Sequence, residues 1–442
     1  MLRNHITRQF EHISSGGYPV LLIKLKKLVF LLPRIPLYFL AFLFVLMMRL
    51  ISPIVIVRLE QLDIGRIGAI IYGDWYLSQK IDGLYRGRYL DFFYFIKSIN
   101  HVNGQWMKMW KRALPTLAGA ELWENVQRLN RLFPGYQNYE IPDTHVYPAM
   151  KKWRPQITDK FFGKIYKDDK RLNAVIKNKK PNITFSFKEQ KKGQRVLEEL
   201  GIPKDKGYIC FWARDAAYLD SALPTMDWSY HNYRDSTIHN YIPAIDEMTN
   251  LGYYGIRMGA LVKEQINVSN PSIIDYASNG MRTDFNDIYI SSHCRFFLCS
   301  DGGISSIPES FRIPVIYTNW TLISNLLSGA NVISGLVIFK KFYLKKEKRF
   351  MSFSEILNLE FGGEPTNNIF EKLQLELIEN TPEEICAVTT EMHERVNDTW
   401  VSTEEDEELQ KCFWALLGPD RLKSPDLHIG AEYLRENRAF LV

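Results

Sequence analysis

From Tyr18 to Val57 the chain is dominated by Leu, Ile, Phe and Val. The longest charge-free piece, Ile35 to Met48, covers about 14 residues, short of the ~20 a helix needs to cross a bilayer. Extending it to Val57 crosses Arg49 and meets Pro53, which interrupts a helix. A secretory signal fits poorly, because polar residues precede the run at length and no small-residue cleavage site closes it before Arg49. Lys24, Lys26, Lys27 and Arg34 precede the run and Arg49 closes it. This predicts a helical hairpin or interfacial helix in the cytoplasmic leaflet, bent at Pro33 and Pro36. The competing reading is a helix packed on the body of the protein or on a second copy of the chain.

Beyond that segment the pattern alternates between short apolar runs and amphipathic stretches. A strand is expected at Ile54 to Leu59, followed by the glycine-bearing loop Glu60 to Gly65 and a helix from Arg66 to Gln79. A second strand is expected at Tyr89 to Ile96 and helical pieces at Gly119 to Phe133. The stretch Gly135 to Pro181 is irregular. Phe187 to Leu200 reads as a helix stopped by Gly201 with Pro203 behind it. Strands are then expected at Tyr208 to Trp212, Tyr253 to Arg257, Ile273 to Tyr276, Arg295 to Cys299 and Val315 to Thr318. Helices are expected at Thr237 to Thr249, Phe285 to Ser292 and Ile304 to Phe311. This alternation predicts an α/β fold with doubly wound parallel sheets. We divide the chain into a membrane-associating segment (1–52), a first α/β domain (53–200), a second (201–375) and a helical tail (376–442). In that tail Pro382 to Leu417 reads as one helical run, with the acidic patch Glu404 to Glu408 as a solvated face.

Composition narrows the class. A chain of 442 residues with 46% hydrophobic and 24% charged residues has room for two folded domains and is not disordered. The net charge of +5 is mildly basic and partly clustered, at Lys177, Lys179 and Lys180 and again from Lys340 to Arg349. Such clusters suit phosphate, a lipid surface or solvated loops. They form no continuous stripe, and no nucleic-acid module is present, so nucleic acid is not an expected partner. The five cysteines follow no metal or disulfide spacing, and Cys210 and Cys299 sit in apolar runs that read as core strands.

Candidate chemistry gathers at strand ends. In Leu298 to Ser306 an apolar strand runs into Ser300-Asp301-Gly302-Gly303 and directly into a helix. Two glycines there let backbone approach a ligand, and a helix N-terminus favours phosphate. Ser305 and Ser306 could add hydroxyl donors, and Glu309 could hold a ribose hydroxyl. Asp301 could alternatively be the helix N-cap. Arg214 follows another strand, where it could neutralise a phosphate with Asp215 fixing it, and Tyr218 lies just beyond. Arg234 and Asp235 occupy the polar loop His231 to Ser236, and Arg257 ends a strand beside Gly259. In the first domain Asp63 could serve as a general base, with His101 and Asp74 as weaker candidates. There is no D-x-D metal signature, no phosphate-loop or dinucleotide fingerprint, no nucleophile elbow and no H-E-x-x-H.

The strings Phe211 to Asp215, Asn232 to Asp235, Ile256 to Gly259 and Phe297 to Gly303, followed by Pro314 and Asn319, occur in this order. Together they resemble a family of bacterial glycosyltransferases associated with surface polysaccharides. The resemblance runs over about residues 54 to 320 and the tail near Ile429 to Leu441, and it is specific in the second domain. Arg66-Ile67-Gly68 matches the family's first-domain opening, but Ala69 stands where the family would place a His.

The resemblance implies a GT-B-like arrangement: two Rossmann-like domains facing a cleft, acceptor on the first and nucleotide-sugar donor on the second. The late helices would cross back to the first domain, and arginines with a helix N-terminus would take the place of a metal. The expected function is therefore metal-independent transfer of a sugar from a nucleoside-diphosphate sugar. The acceptor would be a lipid-linked or surface glycan at the cytoplasmic face of the cell membrane. No cofactor is expected, since the nucleotide-sugar is a substrate, and a homo-oligomer is left open. The rivals are a non-catalytic membrane scaffold with a degenerate site and a GT-B-like sugar-nucleotide epimerase.

Overall fold

A computed structural model describes residues 17, 20, 34–62, 67–85, 87–95, 103–141, 174, 175, 177–222, 227–323, 326, 334–359, 367–418 and 426–442. The chain forms two compact units whose segments interleave. One comprises Met1–Leu62, Arg86–Lys97 and Pro115–Asp143, the other Asp63–Tyr85, Ser98–Leu114 and Thr144–Val442.

In chain order the first half contains α1 (Ile35–Ile51), β1 (Ile56–Leu62), α2 (Ile71–Ile81), β2 (Tyr89–Phe95), α3 (Gly104–Ala113), β3 (Thr116–Leu117) and α4 (Ala120–Asn130). The first unit is a parallel sheet in the order β1-β2-β3 with α1 and α4 packed together beside it. Arg58 and Asp91, opposite each other in register, form a buried two-pronged ion pair at 2.6 and 2.8 Å.

The 17-residue helix α1 stops ahead of Pro53, while Pro36 sits in its first turn, where a missing N–H does no harm, and not at a bend. Its stripe Ala41, Val45 and Met48 is buried with Leu59, Val126 and Tyr139. Arg49 does not face outward as expected of a headgroup-binding cation. Its guanidinium donates to Asn130 Oδ1 (2.8 Å) and lies 4.9 Å from the rings of Phe133 and Tyr139. The other face of α1 exposes Phe39, Leu40, Leu43, Leu46, Met47 and Leu50. Among the described residues no helix is long and apolar enough to cross a membrane. Lys24, Lys26, Lys27 and Pro33 lie outside the described residues.

The second unit continues with α5 (Phe187–Glu199), β4 (Tyr208–Trp212), α6 (Ala217–Ala222), α7 (Ile242–Asn250), β5 (Tyr254–Arg257), β6 (Ile273–Ile274) and α8 (Asp284–His293). Then come β7 (Phe297–Ser300), α9 (Ser306–Ser310), β8 (Val315–Trp320), β9 (Gly335–Phe339), β10 (Lys341–Leu344), β11 (Arg349–Phe350), α10 (Phe353–Leu357), α11 (Asn367–Lys372) and β12 (Leu375–Ile378). The end of the chain supplies α12 (Pro382–Val396), α13 (Glu404–Leu416), β13 (Leu427–Ile429) and α14 (Ala431–Glu436).

Seven strands form one all-parallel sheet in the order β13-β9-β8-β7-β4-β5-β6. Buried on both faces, β7 and β8 each begin as an apolar run, Phe297 to Cys299 and Val315 to Tyr317, which is why they were legible. The chain moves outward from β4 through β5 to β6, then returns to lay β7 on the other side of β4. The point between β4 and β7 is a topological switch point, where doubly wound sheets bind ligands beyond the carboxyl ends of their strands.

The alternation missed α3, the strand β9, the edge strand β13, and the small antiparallel sheet β11-β10-β12. The run expected as one late helix is two, α12 and α13, each opened by a reciprocal capping box. The acidic patch is the first turn of α13, not a uniformly solvated face. Asp406 is buried there, bonded to Thr403 and paired with Arg435. Helix α12 packs on α7, β8 and β9. The basic run after β9 is largely neutralised: Lys341 meets Glu384, Lys345 meets Glu376, and Arg349 meets Glu347 and Glu355.

Gly335, at the start of β9, has φ +119°, and a Cβ there would lie 2.0 Å from the Val315 carbonyl oxygen. Both the dihedral and the clash are with backbone, which cannot rotate away. We expect Gly335→Ala to destabilise the protein by about 2–4 kcal/mol in a urea unfolding curve. Gly201→Ala at the end of α5, where a Cβ meets open space, should cost about 1 kcal/mol from its positive φ alone.

Candidate functional site

Two residues beyond β4, at the switch point, Arg214 is held from several directions. Its backbone N–H donates to Ser300 Oγ at the end of β7 (2.7 Å), and its carbonyl accepts from Ser236 N–H (3.0 Å). Its guanidinium donates to the Asp235 carboxylate and to the His231 carbonyl (3.3 Å). The last two come from a short 3₁₀ turn, Ser229–Arg234, and the residue after it. Arg214 is 5% exposed, and burial, followed by the repulsion of Arg234, pulls it down to about 10. Arg234 Nη1 lies 3.9 Å from Asp301 Oδ1, both partly exposed.

A third cation completes the group. Lys340, the first residue beyond β9, is 4% exposed, and its ammonium donates to the carbonyls of Tyr233 (3.1 Å) and Asp235 (2.5 Å). Burial draws its pKa down to about 8; Glu379 and Asp301 oppose the shift and Arg214 adds to it. Lys340 opens the basic run but is itself buried, and full exposure begins only at Lys345. Its signal was available, since it directly follows an apolar run as Arg214 nearly does, but the strand Gly335–Phe339 had not been recognised.

Arg214, Arg234, Asp235, Ser300 and Asp301 thus converge on one place. Other residues take different posts. The carboxylate on Arg214 is Asp235 rather than Asp215, which accepts from the N–H groups of Ala217 and Lys263 at 3.0 Å each. Arg257 is buried and turned onto the Glu264 carbonyl (2.7 Å) and Asp275 (3.3 Å), which makes it a brace for the following loop. Gly259 packs against Val262 and Ala277. Tyr218 lies near Arg282 and Asp284. Asp301 makes no cap bond to the turn behind it.

The two glycines are occupied by protein. A Cβ on Gly302 would meet the Trp212 ring at 2.4 Å, and one on Gly303 would lie 3.2 Å from the Gly68 nitrogen. Ser305 Oγ donates to the Gly302 carbonyl (3.2 Å) and Ser306 Oγ to the Gly68 carbonyl (3.5 Å). Beyond them stands only a 3₁₀ turn, Gly303–Ser305, and the five residues of α9. The buried carboxylate of Asp74 is bound by Arg312 (2.9 and 3.2 Å) and Asn182 (2.8 Å). Asp63 and His101 lie outside the described residues. Among the described residues no group of His, Cys, Asp or Glu is arranged to hold a metal ion.

No family model matches the chain, and no curated protein matches it in sequence. Among solved structures it is similar to the glycosyl transferase family 9 protein from Veillonella parvula DSM 2008, with 11% identity over 59% of this chain and 80% of that one, TM-score 0.36. It is also similar to ADP-heptose LPS heptosyltransferase II of E. coli, with 10% identity over 77% of this chain and 99% of that one, TM-score 0.42. At such distances function has to be read from the strand-end residues themselves.

Glu309 is turned inward, not toward a ribose. It accepts from the Tyr317 hydroxyl, its Oε2 is shut off from solvent, and burial raises it to about 8. The folded chain holds this proton up to about 8, whereas an ordinary Glu releases it near 4.5. Stability attached to Glu309 therefore falls as pH rises from 4.5 and reaches its floor above 8, by about 1.4 kcal/mol per unit of pKa difference. We expect Glu309→Gln to melt like the wild type at pH 5 and several degrees higher at pH 9. Identical melting at pH 9 would show a solvated carboxyl.

Proposed function

We propose that this protein is a glycosyltransferase that binds a nucleoside-diphosphate sugar at the switch point of its large sheet. It passes the sugar to a lipid-linked or surface-glycan acceptor at the cytoplasmic face of the cell membrane, without a metal ion. The observation that carries this reading is the gathering of Arg214, Arg234 and Lys340 at one sheet edge with two carboxylates, Asp235 and Asp301, among them. A group with one surplus positive charge, partly desolvated, is suited to an anion. Its position beyond the carboxyl ends of parallel strands is where doubly wound sheets take nucleotides.

In the reaction an acceptor oxygen attacks the anomeric carbon and the bond from that carbon to the diphosphate oxygen breaks. The electron pair leaves with the diphosphate. Arg214, Arg234 and Lys340 are assigned to neutralise that charge, which is largest as the bond breaks. The acceptor proton goes to a carboxylate base, a role we assign to Asp63. Asp301 is positioned to accept from a hydroxyl of the donor while holding Arg234.

Membrane attachment is assigned to α1. One stripe of it is used up in the first unit, and the opposite face leaves Phe39, Leu43, Leu46 and Leu50 exposed. At 17 residues, about 25 Å, it is suited to lying in the interface rather than crossing it. Lys24, Lys26 and Lys27 precede it in sequence and would favour an anionic lipid surface.

Two measurements test these assignments. In calorimetric titrations without metal, one of UDP, GDP, ADP or their sugars should bind the wild type, and Arg234→Ala should weaken it at least tenfold. Absence of binding by every nucleotide to folded protein would leave the scaffold reading in its place. In flotation with vesicles containing an anionic phospholipid, the wild type should float and the double variant Leu43→Glu, Leu46→Glu should not, at unchanged melting temperature. Equal flotation of both would remove α1 from the membrane contact. A smaller hydrodynamic size for the variant, with flotation unchanged, would assign that face to a second copy.

A further inference from the structure

Lys340 does more than its place in the fold requires. The 3₁₀ turn Ser229–Arg234 has no side-chain N-cap, and the Asn367 side chain bonds its Ser229 carbonyl and Tyr233 N–H. Lys340 satisfies the carbonyls of Tyr233 and Asp235 at its end. A neutral amide could do this without burying a charge, and one does so close by: Asn380 Nδ2 donates to the Phe339 carbonyl (2.9 Å), next to Lys340 in the chain. An ammonium instead brings a third positive charge beside Arg214 and Arg234, where Asp235 and Asp301 supply two negative ones. Burying an incompletely paired charge opposes folding. The ammonium has three hydrogens, and among the described residues two of them have acceptors.

Resting on the sugar-nucleotide reading above, we infer that Lys340 is a working member of the anion site. Two of its hydrogens hold the turn that carries Arg234 and Asp235, and its charge and remaining hydrogen serve a phosphate group of the ligand. The charged groups around it are Asp235 from the turn, Arg214 beyond β4, Asp301 beyond β7 and Glu379 beyond β12. Among these groups Lys340 is drawn down to about 8 by burial, so its own charge changes between pH 7 and 9. Its pKa of about 8 means the ammonium is present at pH 7 and mostly lost by pH 9. Ligand affinity therefore falls as pH rises through 8.

The test is calorimetric titration with UDP, GDP, ADP and inorganic pyrophosphate at pH 7, 8 and 9. It is run in a Glu309→Gln background, because Glu309 titrates in the same range. With Lys340 intact, affinity for the binding probe should drop about tenfold between pH 7 and 9. Lys340→Met should bind at least tenfold more weakly at pH 7 and show no further loss at pH 9. Lys340→Arg, which keeps its charge throughout, should bind with no pH dependence. An affinity for Lys340→Met within twofold of its parent at pH 7, or a flat profile with Lys340 intact, overturns the inference. Should Lys340→Met fail to fold, the parent and Lys340→Arg profiles decide alone, since a purely structural lysine would leave both flat. If the wild type binds no probe, the proposed function falls and this inference with it. If it binds and the Lys340 comparison fails, the inference alone falls.

Discussion

A guanidinium taken out of water must be paired, and the pairing of Arg214 decides how the large sheet's carboxyl edge is built. Its carboxylate comes from Asp235, its backbone contacts from Ser300 and Ser236, and a further acceptor from His231. These lie on separate stretches of chain, so one buried charge ties the end of β4 to the end of β7 and to the turn before α7. Once that turn is drawn in, its terminal carbonyls need donors, and Lys340, just beyond β9, supplies them. Arg234, carried on the same turn, then falls beside Asp301. The site is the sum of these obligations.

The glycines of the Ser300–Gly303 turn show the same economy of space. Gly302 makes room for the Trp212 ring and Gly303 for the backbone at Gly68. Small residues here allow protein to approach protein, and the short helix α9 adds little dipole. The electrostatics of the switch point thus come from long basic side chains rather than from bare amides. Arginine and lysine can reach an anion without the backbone having to approach it. The serines and Glu309 point back into the structure, where Tyr317 and the Gly68 segment use their hydrogen-bonding capacity.

Helix α1 divides its duties by face. The stripe Ala41, Val45 and Met48 and the guanidinium of Arg49 belong to the first unit, while among the described residues Phe39, Leu43, Leu46 and Leu50 form an exposed apolar face. A contiguous apolar face of this kind marks an interaction surface in a folded protein.

What the sequence determined by itself was whatever depends on local pattern. Parallel strands buried on both faces, such as Tyr208–Trp212, Phe297–Ser300 and Val315–Trp320, announce themselves as apolar runs. Helices such as Phe187–Glu199 announce themselves through caps and stops. The α/β class and the strand-end positions of Arg214, Arg257 and Asp301 followed from that. The partnerships of those side chains were decided only by the tertiary structure. Asp235 and not Asp215 sits on Arg214, because pairing follows distance in space. Arg257 is spent on Asp275, and Glu309 is buried against Tyr317. Lys340 looked like one more surface lysine until β9 was placed beside β8. Burial sets the charge state and availability of such groups, and burial is a property of the neighbours the fold supplies.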